Sequence, residues 1–184
     1  MRYEIYRQLY DFELAQRDHL ISAVNIPMVV ATILGSALGT MMMTFPYAKS
    51  AGSSGWAFCG LVLVGLLALI AAIFALVRSL VGYEYARTAS PKCWQEYFDK
   101  LVEMYSTFPE QPFLAQAGFD KRFHERLAEA TDENSAQNRK RSDFLYKANL
   151  CCVVALIAVA LAAVPYVFAS VKYGDHVEQV RIVP

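Results

Sequence analysis

Charged residues are scarce in this chain: they make up 18% of its 184 residues, whereas 56% are hydrophobic. Basic and acidic residues number 17 each, so the formal net charge is zero. A protein that binds nucleic acid needs a basic excess on one surface to contact phosphates. The balanced charge therefore argues against nucleic acid as a partner. The fraction of hydrophobic residues is also higher than in an average soluble domain.

Motifs that carry chemistry are also missing. The sequence has no C-x-x-C pair, no G-x-x-x-x-G-K-[ST] phosphate loop, no G-x-S-x-G elbow and no R-x-x-x-x-H spacing. His19, His124 and His176 lie on different segments, which suggests neither a catalytic triad nor a three-ligand metal site. Cys93 has no base near it in the sequence and is better interpreted as a residue at a helix start. We therefore expect no enzyme, no catalytic residue, no cofactor and no metal.

Three long apolar runs dominate the sequence, at 20–45, 56–81 and 148–171. Each is about 24 to 26 residues long, and about 20 residues suffice to cross a bilayer core as a helix. A small soluble domain with so little amphipathic sequence could not cover three such runs. The pattern predicts an all-α membrane protein with three transmembrane helices in contact with the lipid bilayer, the first two forming a hairpin over 20–81.

Lysine and arginine predict the orientation of these spans. They occur in 1–19 and at ten positions in 82–147, whereas the loop 46–55 has one and the tail 172–184 has two. We therefore expect a multi-pass protein of the cell inner membrane, with the N-terminus and 82–147 in the cytoplasm and the tail outside. Residues 1–19 are too acidic for the start of a secretory signal, so no cleavage is expected.

The first 19 residues predict an amphipathic helix. Its apolar residues recur at helical spacing: Tyr3, Ile5, Tyr6, Leu9, Tyr10 and Phe12. Tyrosine suits an interface because its ring is apolar and its hydroxyl can meet water. Two interpretations stay open, a helix at the level of the lipid headgroups and a helix that packs on a neighbouring helix.

The segment 82–147 predicts a small cytoplasmic helical layer. Ser90 as N-cap and Pro91 at the first helical position mark a helix start, and "FPEQPF" ends that helix before a second begins. The first helix has an apolar stripe whose centre is a candidate surface for docking a cytoplasmic activator: Trp94, Tyr97, Phe98 and Leu101.

No proline or glycine occurs between Asp120 and Pro165, which predicts one long helix running from this layer through the third span. Its polar residues fall within a narrow arc at 100° per residue: Asn134, Asn138, Arg141 and Asn149. Either their side chains bond neighbouring helices of the same subunit, or several copies surround an axis and the arc faces a water-filled vestibule.

Small residues in the first span predict close helix packing. Gly35 and Gly39 are four residues apart and remove side-chain bulk from one helix face, whose partner is the second span, the third span or another copy. Three helices cannot enclose a substrate path, and no acidic residue lies inside a span to bind an ion. Any conduction would therefore require a homo-oligomer.

The order of segments resembles that of SLATT-type membrane effectors of bacterial antiphage systems. It is carried by "LYDFELAQRDHL", a membrane hairpin, "GYEYARTASPKCWQEYFDKLVEMY" and "ATDENSAQNRKRSDFLYKAN" running into a final span. The resemblance implies an oligomer that forms pores in, or depolarises, the inner membrane after infection is sensed, and it transfers no catalytic or ligand residue. The alternative is a membrane-anchored adaptor or regulatory subunit that docks a cytoplasmic partner.

Overall fold

The computed structural model describes residues 2–47 and 52–173. Helices make up 87% of the structure, and the described residues form no β-strand, so the all-α prediction is confirmed. The elements are α1 (Arg2–Ala23), α2 (Asn25–Thr44), α3 (Ser53–Leu80), α4 (Pro91–Met104) and α5 (Gln111–Tyr173). Beyond residue 173, the expected outer tail lies outside the described residues.

Three helical stretches are long and apolar enough to cross a membrane, as the sequence predicts. They are Glu4–Thr44, Ser53–Leu80 and Gln111–Lys172. The third is part of a single helix of 63 residues, so the polar segment before the third apolar run and the run itself are continuous. Pro165 lies inside this helix rather than ending it.

The chain divides into two compact units. The first comprises Met1–Ser22 and Leu80–Ser142, and the second comprises Ala23–Ser79 and Asp143–Pro184. The first unit therefore contains α1, the non-helical segment 83–90, α4 and the beginning of α5, while the second contains the apolar helices.

Pro27 accounts for the boundary between α1 and α2. Proline has no N–H to donate to the carbonyl of Ala23, so one helical hydrogen bond is lost at this place. Val24 nevertheless keeps helical angles, with φ −66° and ψ −26°. The Met28 N–H donates to the Val24 carbonyl at 3.2 Å, so the helical path resumes at once.

Helix α5 buries one face at heptad spacing. Side chains seven residues apart are all buried along it: Leu127, Asn134, Arg141, Ala148, Ala155, Ala162 and Ala169. A spacing of 3.5 residues per turn is typical of helices that pack side by side as in a coiled coil. The alanines of this series let a neighbouring helix approach closely, whereas the two polar members require hydrogen-bonding partners.

The core of the second unit lies between α2, α3 and the apolar part of α5. Phe58 is fully buried and stacks on Phe45 with ring centres 4.0 Å apart. Aliphatic side chains of the three helices complete this core: Leu34, Leu38, Val62, Leu69, Ala155 and Val159. The packing brings three membrane-length helices together within one subunit.

Gly65 is the most closely packed of the described glycines. A Cβ atom there would lie 3.1 Å from Leu38 Cδ1 and 3.6 Å from Ala158 Cβ. We expect Gly65→Val to destabilise the second unit by about 2 kcal/mol, because overpacked side chains must leave their preferred rotamers. Thermal unfolding of the purified protein in detergent measures the change.

Gly39→Val is the matched control for that substitution. It makes the same chemical change, but a Cβ at Gly39 meets no atom within 4 Å. Its unfolding temperature should stay close to that of the parent protein. Equal losses of stability in the two variants would contradict the close approach at Gly65.

Candidate functional site

The polar arc of α5 is a buried hydrogen-bonding cluster of the first unit. Asn134, Asn138 and Arg141 are 0%, 1% and 4% exposed, respectively. All three bond to residues of the same chain. The arc therefore contacts its own subunit through these three side chains, which is the first of the two interpretations that the sequence left open.

Asn134 holds the segment 83–90 against α5. Its Oδ1 accepts from the Ala86 N–H at 2.8 Å, and its Nδ2 donates to the Ala86 carbonyl at 3.2 Å. The side-chain amide thus pairs with both backbone groups of Ala86, as a neighbouring strand would. Because 83–90 forms no helix, this pairing satisfies backbone groups that would otherwise depend on water.

Asn138 joins three parts of the first unit. Its Nδ2 lies 2.8 Å from the Glu13 carbonyl oxygen and 2.7 Å from Glu13 Oε2. Its Oδ1 accepts from the Tyr85 hydroxyl at 2.7 Å. Every polar atom of this amide is therefore used, and α1, 83–90 and α5 meet at one side chain.

Arg141 is the third member of the cluster and bonds to Tyr85, the second tyrosine of "GYEY". Its Nη1 donates to the Tyr85 hydroxyl at 3.0 Å. Its guanidinium lies over the Tyr83 and Tyr85 rings, 5.5 and 5.9 Å from their centres, and Arg17 approaches the Tyr85 ring to 5.5 Å. Aromatic faces offer negative charge to these cations.

Asn149 does not belong to this cluster. It is exposed, one residue beyond buried Ala148, and its place on an oligomer axis stays a prediction. The sequence also missed three partners of the cluster, Glu13, Tyr85 and Ala86. The aromatic pair in "GYEY" beside a non-helical stretch was the one signal that could have drawn attention to them.

The docking candidates of α4 pack against α5. Trp94 meets Phe119 and Phe123 edge to face, with ring centres 5.7 and 5.0 Å apart. Tyr97 and Phe98 approach the same Phe119 ring, at 6.5 and 5.7 Å. Trp94, Tyr97 and Phe98 are half-buried, and the Trp94 Nε1 is buried without a hydrogen-bond partner among the described atoms.

Leu101, the fourth candidate, is buried. Its Cδ1 lies 3.6 Å from the place where a Cβ would stand on Gly118. The four side chains therefore hold α4 on α5, and docking of a partner at this stripe stays a prediction.

The apolar residues of α1 divide between two faces. Tyr6 is half-buried and lies 5.9 Å from the His124 ring, and Tyr10 donates to the Ala86 carbonyl at 3.4 Å. Three others are exposed on a different face: Ile5 at 51%, Leu9 at 47% and Phe12 at 61%. The side chain of Tyr3 lies outside the described residues.

Gly35 and Gly39 are half-buried on α2. A Cβ on Gly35 would lie 4.0 Å from Leu69 of α3, which is ordinary contact, whereas Gly39 has open space around it. The structure thus pairs Gly35 with α3 within the subunit. It leaves Gly39 without a neighbour among the described residues.

Four hydroxyl side chains form a row on the exposed face of α2. Thr32, Ser36, Thr40 and Thr44 follow one another at intervals of four residues, and all are exposed. Each donates to the carbonyl four residues earlier, at distances from 2.7 to 3.0 Å. At 1.5 Å per residue this hydroxyl row extends over about 18 Å.

The other apolar helices present hydrocarbon on their exposed faces. Exposed side chains between 61 and 77 of α3 and between 150 and 168 of α5 are aliphatic or phenylalanine. The row on α2 continues onto α5 only at its end, where the hydroxyl oxygens of Thr44 and Tyr166 lie 2.8 Å apart. The row therefore places exposed hydroxyl oxygens on a helix of membrane length.

In the described part of the chain, no group of three or more histidine, cysteine, aspartate or glutamate residues is placed so that it could hold a metal ion. No protein family, curated protein or solved structure matches this chain.

Proposed function

We propose that this chain is an oligomeric protein of the bacterial inner membrane whose copies surround a polar path, and that it permeabilises or depolarises that membrane as an antiphage effector. The observation that carries the proposal is the hydroxyl row of α2, exposed on a helix of membrane length. The proposal does not rest on the three buried members of the polar arc of α5, because they bond within the subunit.

The chemistry of the row suits contact with water. Each hydroxyl uses its one proton on a carbonyl of its own helix. The oxygen lone pairs of Thr32, Ser36 and Thr40 remain as acceptors for water or for another copy, whereas the Thr44 oxygen also bonds the Tyr166 hydroxyl. The row covers about 18 Å of a bilayer core that is about 30 Å thick. It has no charged side chain, so the proposed path lacks the ring of charge that selects ions by sign.

The biological setting is supported differently. The antiphage role rests on the resemblance of segment order to SLATT-type effectors, and the inner-membrane orientation rests on the distribution of lysine and arginine. Assembly of several copies follows from the geometry of a path, because three helices of one subunit cannot enclose it.

Stoichiometry and ion flux together test the proposal. Light scattering on the purified protein in detergent should give more than one copy per particle, and expression should collapse the membrane potential or admit a dye. A monomer that leaves the potential untouched under its triggering condition would contradict the proposal.

The adaptor alternative is favoured by the exposed face of α1, formed by Ile5, Leu9 and Phe12. An apolar stripe of this kind fits the groove of a protein partner. A second protein that co-purifies in fixed ratio, and that is lost when Leu9 and Phe12 are changed to serine, would decide for the adaptor.

A further inference from the structure

Two cationic side chains from different helices meet at one aromatic ring in the second unit. The Arg78 Cζ lies 5.6 Å from the centre of the Phe144 ring, and the Lys147 Nζ lies 5.3 Å from the same centre. Arg78 is in the last turn of α3, whereas Phe144 and Lys147 belong to α5. The two charges are therefore within about 11 Å of each other although 69 residues separate them in the sequence.

No described acidic side chain neutralises this pair. The ion pairs of the described residues join other groups, and neither Arg78 nor Lys147 takes part in one. Asp143, one turn before Lys147, does not come within ion-pair distance of it. Two like charges held close together without a counterion repel each other, and an anion between them would remove that cost.

The surroundings of the pair are apolar and exposed. Phe74 and Val77 of α3 are 65% and 51% exposed, and Leu150 of α5 is 52% exposed. These side chains continue from the two cations along the apolar parts of their helices. A ligand with a phosphate at one end and a hydrocarbon chain at the other would contact both the charges and this surface.

We propose that Arg78 and Lys147 bind the phosphate of an anionic phospholipid, with its acyl chain along Phe74, Val77 and Leu150. The site rests on the membrane insertion contained in the proposed function. Arg78 ends one apolar helix and Lys147 precedes the apolar run of another, so both cations stand where a bilayer places its phosphates. The cations attract the phosphate, and each of them also contacts the Phe144 ring.

Native mass spectrometry of the detergent-solubilised protein tests the site with phosphatidylglycerol as the probe. Because each cation near a phosphate contributes to the attraction, we expect the double variant R78Q with K147Q to bind phosphatidylglycerol about 30-fold more weakly. The charge-preserving pair R78K with K147R should keep most of the affinity, since it exchanges the two cations between the helices. Binding of zwitterionic phosphatidylcholine should be weak in both.

Lys172→Gln is the matched control. Lys172 also lies beside a phenylalanine, with its Nζ 5.8 Å from the Phe168 ring centre, but no second cation of the described residues shares that ring. Its removal takes away the same charge from an apolar helix and should leave phosphatidylglycerol binding unchanged.

Inorganic phosphate separates the two sources of a phosphate group. Failure of inorganic phosphate to compete with phosphatidylglycerol would support a lipid, and full competition would overturn the lipid in favour of a soluble phosphate compound. Equal phosphatidylglycerol binding by the parent and by R78Q with K147Q, in protein recovered from the membrane fraction, would overturn the site alone. Absence of the chain from that fraction would contradict the proposed function instead.

Discussion

Replacing Asn138 with leucine should unfold the first unit far more readily than any other single change in the polar arc. The substitution removes both bonds to Glu13 and the bond from Tyr85. A carboxylate oxygen and a backbone carbonyl of Glu13 then lose this donor, and the Tyr85 phenol loses its acceptor while it keeps the bond from Arg141, in a partly buried place. The expected loss in the free energy of unfolding is about 3 kcal/mol, since charged groups left unpaired cost more than neutral ones.

Hydrogen exchange measures this loss where it should occur. The backbone amides of 83–90 should exchange much faster in Asn138→Leu, because that segment is held by the cluster rather than by a helical ladder. Asn149→Leu is the matched control, since Asn149 is exposed and outside the cluster. Its exchange should stay within about 0.5 kcal/mol of the parent, and equal effects of the two substitutions would contradict the cluster.

The long helix α5 could be predicted from its sequence, but the partners of its polar arc could not. The absence of proline and glycine over many turns is a property of the local sequence, and the local sequence is enough to predict a helix of this length. Asn138, by contrast, bonds to Glu13 at a separation of 125 residues. No pattern within α5 indicates which distant backbone reaches it, or that 83–90 stays non-helical.

Asn149 lies off the buried face of α5 for a geometric reason. A straight helix advances by 100° per residue, and on that basis Asn149 falls near Asn138 and Arg141. The buried face follows a spacing of 3.5 residues instead, which shifts it by about 20° per heptad. Ala148 and Cys152 therefore continue the buried face, and Asn149 turns outward.

The amphipathic helix α4 shows the same limit. Its N-cap is confirmed, since the Ser90 Oγ accepts from the Cys93 N–H at 3.3 Å. Its apolar stripe was predicted too, but the residues of the stripe do not indicate which part of the protein packs on it. In the structure Phe119 and Phe123 of α5 lie against Trp94. For α1, the sequence did not separate the exposed Ile5, Leu9 and Phe12 from the half-buried tyrosines.

The second large effect is expected at the hydroxyl row of α2. Changing Ser36 and Thr40 together to leucine replaces two exposed hydroxyls with bulky hydrocarbon on the face that we propose to line the path. Ion flux through the reconstituted oligomer should fall at least about tenfold, because the middle of the path becomes narrower and cannot bind water. The subunit fold should persist, since both side chains are exposed.

Ile70→Leu provides the comparison for flux. Ile70 is 63% exposed on the hydrocarbon face of α3, and a change of branching there should leave flux as it is. Unchanged flux in the Ser36 and Thr40 double variant, with the oligomer intact by light scattering, would exclude the row as the path.

Access of water to the hydroxyl row is the most direct test of the proposed path. In a chain whose own four cysteines have been replaced, Ser36→Cys and Thr40→Cys should react with a charged thiol reagent in the membrane-embedded protein. Ile70→Cys, on a face of hydrocarbon, should not react. Equal protection of all three positions would show that the hydroxyl row faces lipid, and the proposed path would then be wrong.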